Sequence, residues 1–292
     1  QTHHADSYIK AKLPRSGTFY VRVADVRRHG SEDHAYRLRV SSPRPEVDLF
    51  VCPSSIDVPR GRAALVALRA VRKDGFDGPI DIELRDVPDG YFLSGARIPE
   101  GRDHVVMTLT GPRQGRDTPF TPRLVGIVQQ GRERVELPVL PAEDQMQAFL
   151  WRHVVPFQEL VVAPLGKGNK WSPIVSLAED KPVRLARGRK TKVRFDVDGR
   201  VNVKELRFEV VVGPRGITFG EAKTTGDGFT LEIKADRDTE RMDTPDNLIV
   251  EVFNERVVES KDEKRRGRRR RNAQTRRWSA GYLPAIPYVI RR

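Results

Sequence analysis

The chain contains a copy of itself. The run that begins Arg60-Gly61-Arg62 and ends at Leu109 is echoed, starting 127 residues later, by a run from Arg187-Gly188-Arg189 to Ile233. In each copy a Gly turn opens an alternating strand, Ala64-Leu65-Val66-Ala67-Leu68 in the first and Lys192-Val193-Arg194-Phe195-Asp196 in the second. A second alternating run follows at residues 80–84 and 206–210. Then comes a corner of Pro and Gly, Pro88-Asp89-Gly90 against Pro214-Arg215-Gly216, and each copy closes on a further strand at 106–109 and 230–233. Period-two alternation sets one face of a strand on a core and the other in water. Short strands of this kind, bounded by turn residues and repeated once, predict an all-β fold of tandem β-sandwiches.

The 292 residues suit two domains, each long enough to bury its own core. Cys52 is the single cysteine, which excludes an intrachain disulfide and a cysteine metal cluster, and it reads as a small buried hydrophobe. A chain without disulfides suits the cytosol, yet bacterial exported proteins also carry few cysteines. No run of 18 apolar residues offers a membrane span. The chain opens at Gln1 with no leader pattern, and so reads as part of a longer polypeptide.

Residues 1–42 hold three short strand patterns, around Tyr8-Ile9, Thr18-Phe19-Tyr20-Val21-Arg22-Val23 and Tyr36-Arg37-Leu38-Arg39-Val40. The spacing Leu13-Pro14-x-x-Gly17-x-x-Tyr20-Val21-x-Val23 and the closing Tyr36-x-Leu38-x-Val40 resemble the last strands of the bacterial pre-peptidase C-terminal domain, a small β-sandwich attached to secreted peptidases. The resemblance implies that 1–42 is the C-terminal part of such a sandwich. Pro43 and Pro45 mark a linker, and 43–141 reads as the first complete sandwich. Its pattern and that of 161–292 resemble the immunoglobulin-like domains found in tandem in large exported proteins of bacteria such as planctomycetes. Between them, 142–160 reads as a packed connector. Pro141 with Glu143 and Asp144 behind it predicts a short helix, and Trp151 and Phe157 are its expected interdomain anchors.

The net charge of +13 is concentrated in one stretch. Lys264, Arg265, Arg266, Arg268, Arg269, Arg270 and Arg271 lie between strand patterns at 247–253 and 278–285, which makes 261–277 a basic hairpin excursion. Seven such cations would attract phosphates or other anionic groups, with an affinity that falls as salt rises. No aromatic interleaves them before Trp278, so stacking on bases is not indicated and no specific nucleic acid is expected.

Other chemistry is thinly represented. The six histidines are scattered without zinc-ligand spacing. Asp236, Asp238, Glu240, Asp243 and Asp246 cluster before a strand and could offer oxygens to calcium, but Arg237 and Arg241 compete for them. No serine stands in a Gly-x-Ser-x-Gly turn, and Gly166-Lys167-Gly168 lacks the residues of a phosphate loop. Trp151, Trp171, Trp278, Tyr91, Phe92 and Phe157 could form a sugar platform, although aromatics on alternating strands more often fill a core. No catalytic residue, cofactor or metal ligand is therefore assigned. The expected role is that of a non-catalytic accessory or spacer region of an exported protein, periplasmic, surface-bound or secreted. It would partner the rest of its polypeptide and extracellular proteins or polysaccharides. Two other roles are open: aiding secretion or maturation of an attached peptidase, and non-specific polyanion binding through the basic hairpin.

Overall fold

The computed structural model describes residues 9, 11–25, 27–42, 46–115, 117–146, 152–166, 173–179, 181–259 and 273–291. Among these there is no α-helix, and the chain is all-β, two immunoglobulin-like sandwiches in tandem.

The first sandwich begins with β1 (Glu46–Cys52), β2 (Ser55–Pro59), β3 (Ala63–Lys73), β4 (Ile80–Arg85), β5 (Phe92–Ser94), β6 (Arg97–Ile98) and β7 (His104–Thr110). β8 (Arg123–Gln130), β9 (Glu133–Met146), β10 (Arg152–Pro156) and β11 (Val161–Leu165) follow. One sheet runs β1–β3–β7–β5 and the facing one β9–β8–β4–β6. β2 pairs in parallel with β11. The alternation in β3 is the reason for the core: Ala64, Val66, Leu68 and Ala70 are buried while Leu65, Ala67 and Arg69 between them are only partly covered. They meet Leu49, Val51, Ile80, Met107 and Leu109 from neighbouring strands.

The second sandwich repeats the main pairings of the first, without counterparts of β6 and β10. β12 (Ile174–Leu177), β13 (Val183–Ala186), β14 (Lys190–Asp198), β15 (Leu206–Val212), β16 (Ile217–Thr224) and β17 (Gly228–Ala235) lead to β18 (Met242–Glu259), β19 (Ala273–Tyr282) and β20 (Ile286–Arg291). One sheet is β12–β14–β17–β16; the other joins β13, β20, β18, β19 and β15. β14 pairs β17 as β3 pairs β7, β15 pairs β18 as β4 pairs β8, and β13 runs parallel to β20 as β2 does to β11. Matching glycines turn the corners with positive φ: Gly61 at 67° and Gly188 at 75°, Gly90 at 87° and Gly216 at 85°. The core is built on Phe195 and Phe229, stacked with ring centroids 5.0 Å apart and almost fully buried. Burial of side chains this size stabilises by roughly 1.5–3 kcal/mol each.

Three expectations are corrected. In 1–42, where three strands were expected, none of the described residues is in a strand, and Tyr20 is 94% exposed and Val40 78%. The stretch after Pro141 is not helical. β9 continues through it to Met146 and pairs with β10, because Glu143 accepts hydrogen bonds from the Ser54 amide (2.9 Å) and hydroxyl (2.6 Å) and Asp144 pairs with Arg69 at 2.6 Å. A two-turn helix has no comparable support. Val161 does not open the second sandwich either; β11 closes the first, and Leu160 and Val162 belong to its core.

Candidate functional site

The seven predicted cations, Lys264 to Arg266 and Arg268 to Arg271, lie outside the described residues, but the strands that carry them are placed. β18 and β19 form an antiparallel ladder from Glu251↔Tyr282 to Glu259↔Ala273, and the basic run joins its two far ends. On one face of this ladder the charges are matched. Arg277 reaches Glu209 of β15 at 2.6 Å and lies 3.7 Å from the centroid of the Phe253 ring, and Arg207 meets Glu255 at 2.9 Å. On that face Arg277 and Arg207 are therefore matched by Glu209 and Glu255.

The edge of β19 away from β18 meets β3 of the first sandwich. The two sandwiches are joined there without a gap in the hydrogen bonding. Tyr282 of β19 pairs with Ala63 of β3, and the Ala285 amide donates to the buried Thr108 hydroxyl at 2.9 Å. The Asn247 side chain, 4% exposed, donates from its amide nitrogen to the carbonyls of Gly95 (2.7 Å) and Val106 (2.9 Å). Arg113 reaches the Asp198 carboxylate at 3.1 Å. Gly95 has φ +70° and no room for a Cβ, which would overlap the Asn247 amide, so the approach is as close as it can be.

Beside this junction is a cleft of about 300 Å³. Leu206, Val252 and Asn254 line it from the second sandwich, together with Arg200 of the turn after β14; Arg62 and Thr110 line it from the first. Asn254 stands opposite Trp278 in the ladder, and cross-strand partners share a face. The indole, 46% exposed, is therefore on the cleft side of the sheet. A larger trough of about 540 Å³ is lined by β8 and β9 residues; its arginines are already paired, Arg85 with Glu136 at 2.7 Å and Arg123 with Asp86.

The acidic loop is not gathered into a site. Asp236 pairs with Lys234 at 3.1 Å and Asp243 with Arg241 at 2.8 Å, and among the described residues no three His, Cys, Asp or Glu side chains come together to hold a metal. Cys52 is buried, and burial pushes its thiol up. Tyr91 packs edge-on against Phe120 at 5.0 Å. Phe157, expected as an interdomain anchor, is 48% exposed, while Trp151 and Trp171 lie outside the described residues. The residues that do tie the sandwiches, Asn247 and Thr108, carry no local sequence signal, since an Asn before a strand reads equally well as a turn. The cleft polar groups are hinted at only by the Arg-Gly-Arg turn at 60–62.

No family model matches the chain, and no curated protein is similar to it. Among solved structures it is similar to the D00-D0 domain of Intimin, with 14% identity and a TM-score of 0.23 over 84% of this chain and all of that one. At that score the likeness carries no functional argument, and the fold assignment rests on the strand pairing above. No helix of the described residues is long and apolar enough to cross a membrane.

Proposed function

We propose that this chain is a non-catalytic accessory and spacer region of a larger exported bacterial protein, holding two sandwiches at a fixed angle and presenting their loops to proteins or polysaccharides. The observation that carries this reading is the junction. A strand ladder, a buried hydroxyl and a buried amide clamp cross it, where a flexible tether would leave solvated loops. Backbone ¹⁵N relaxation tests the reading: the two sandwiches should tumble with one correlation time, and two distinct times would refute it.

The basic hairpin supports a second, additive role in attraction to polyanions. The seven cations of the run are close in sequence between β18 and β19, where their charges add to one anionic attraction. Replacing Lys264, Arg265, Arg266 and Arg268 to Arg271 by Ser and Gly should abolish binding to heparin and polyphosphate, and binding by the unaltered chain should weaken steeply between low and physiological salt. Undiminished binding after the replacement would end this reading.

A further inference from the structure

The cleft between the sandwiches holds chemistry that neither spacing nor the basic hairpin uses. Its volume is at the lower end of the range for ligand pockets, roughly 300–1,000 Å³, and it lies at a domain junction, where such pockets concentrate. The floor is apolar, formed by Leu206 and Val252. Two arginines line it, one from each sandwich, Arg62 from the turn before β3 and Arg200 from the turn after β14; both are exposed, and neither has an ion-pair partner among the described residues. The Asn254 amide lines the cleft from β18, likewise with no partner among the described residues. One carboxylate is present, Glu205, with the Asn202 amide 3.4 Å away. The cleft therefore has an excess of positive charge above an apolar floor, with the exposed Trp278 ring on the same face as Asn254.

We propose that this cleft binds a carboxylate-bearing saccharide, the uronate unit of an acidic polysaccharide. The planar guanidinium fork matches a carboxylate, and two arginines in one cleft offer several donors to an anionic group. The Asn254 amide offers a donor and an acceptor to ring hydroxyls, and the apolar side chains of Leu206 and Val252 receive the C–H face of the sugar. A neutral sugar would make no use of either guanidinium charge. Because Arg62 belongs to one sandwich and Arg200 to the other, the site exists only while the two are docked. The inference thus rests on the spacer reading and names the class of polysaccharide it would present to.

The test uses the full chain with Lys264, Arg265, Arg266 and Arg268 to Arg271 replaced by Ser and Gly, so that the hairpin contributes nothing. Trigalacturonate and the neutral maltotriose are titrated in by calorimetry, with tryptophan emission followed in parallel. Saturable binding of trigalacturonate is expected, at least about tenfold tighter than maltotriose. Arg62→Ala and Arg200→Ala should each weaken it by about tenfold, the loss of one charge-assisted hydrogen bond, with unchanged circular dichroism. Absence of trigalacturonate binding, equal affinity for maltotriose, or indifference to both arginine substitutions would overturn the assignment. Failure of the cleft is separable from failure of the spacer reading, since the first leaves a single tumbling time in ¹⁵N relaxation and the second does not.

Discussion

Asn247 shows how much of the architecture hangs on one side chain. It stands in β18 of the second sandwich, yet its amide nitrogen serves two carbonyls of the first, and both bonds are made away from water. Asn247→Ala should cost about 2–3 kcal/mol in urea unfolding, because it removes two hydrogen bonds and leaves buried acceptors unsatisfied. Tyr288, on β20, is 1% exposed, and burial, with the nearby Asp246 carboxylate adding to it, raises its phenol well above the ordinary 10.0. The folded state therefore holds its proton where the unfolded chain has lost it. That contribution is complete below about pH 10 and disappears as pH rises through the folded value. Stability should fall above about pH 10, and Tyr288→Phe should make that fall shallower; an unchanged alkaline limb would exclude the residue. Neither role is legible in the sequence. Asn247 reads as turn chemistry beside Asp246, and Tyr288 as one more apolar position of a strand, because each draws its environment from residues far away in the chain.

At the scale of the element, the repeat is the legible part. The copied Gly turns at Gly61 and Gly188 do open β3 and β14, and the copied corners at Gly90 and Gly216 do take the same positive φ, since local backbone demands are written locally. β9 departs from its local pattern for the opposite reason. Pro141-Ala142-Glu143-Asp144 has the composition of a helix start, but Pro141 is in register with Val51 of β1, and Glu143 and Asp144 find partners at Ser54 and Arg69. Ser54 is close to ninety residues away from Glu143 in the chain, beyond the reach of any local pattern. β8 carries a position whose need for glycine is also tertiary. A Cβ on the buried Gly126 would overlap the Leu49 side chain and press on Ile80 at 3.2 Å. Gly126→Ala should destabilise by about 1–3 kcal/mol through overpacking, measurable as a lower urea midpoint with an unchanged slope.

For the whole molecule, the two sandwiches are individually legible from alternation and turns, while their docking is not. The tie is a single ladder contact, Tyr282↔Ala63, with Asn247 and Thr108 on either side of it, and the aromatic expected as an anchor is elsewhere: Phe157 is half exposed. The cleft follows the same logic, since Arg62 and Arg200 are ordinary turn residues until the junction brings them to one cavity. Fixed docking is thus the central claim, on which both the spacer role and the saccharide site depend. The most direct measurement is a distance between nitroxide labels placed at the exposed positions Glu133 and Lys223, one in each sandwich, in a Cys52→Ala background, by pulsed electron resonance. The account predicts one narrow distance distribution that broadens in Asn247→Ala. A broad distribution in the unaltered junction would contradict it.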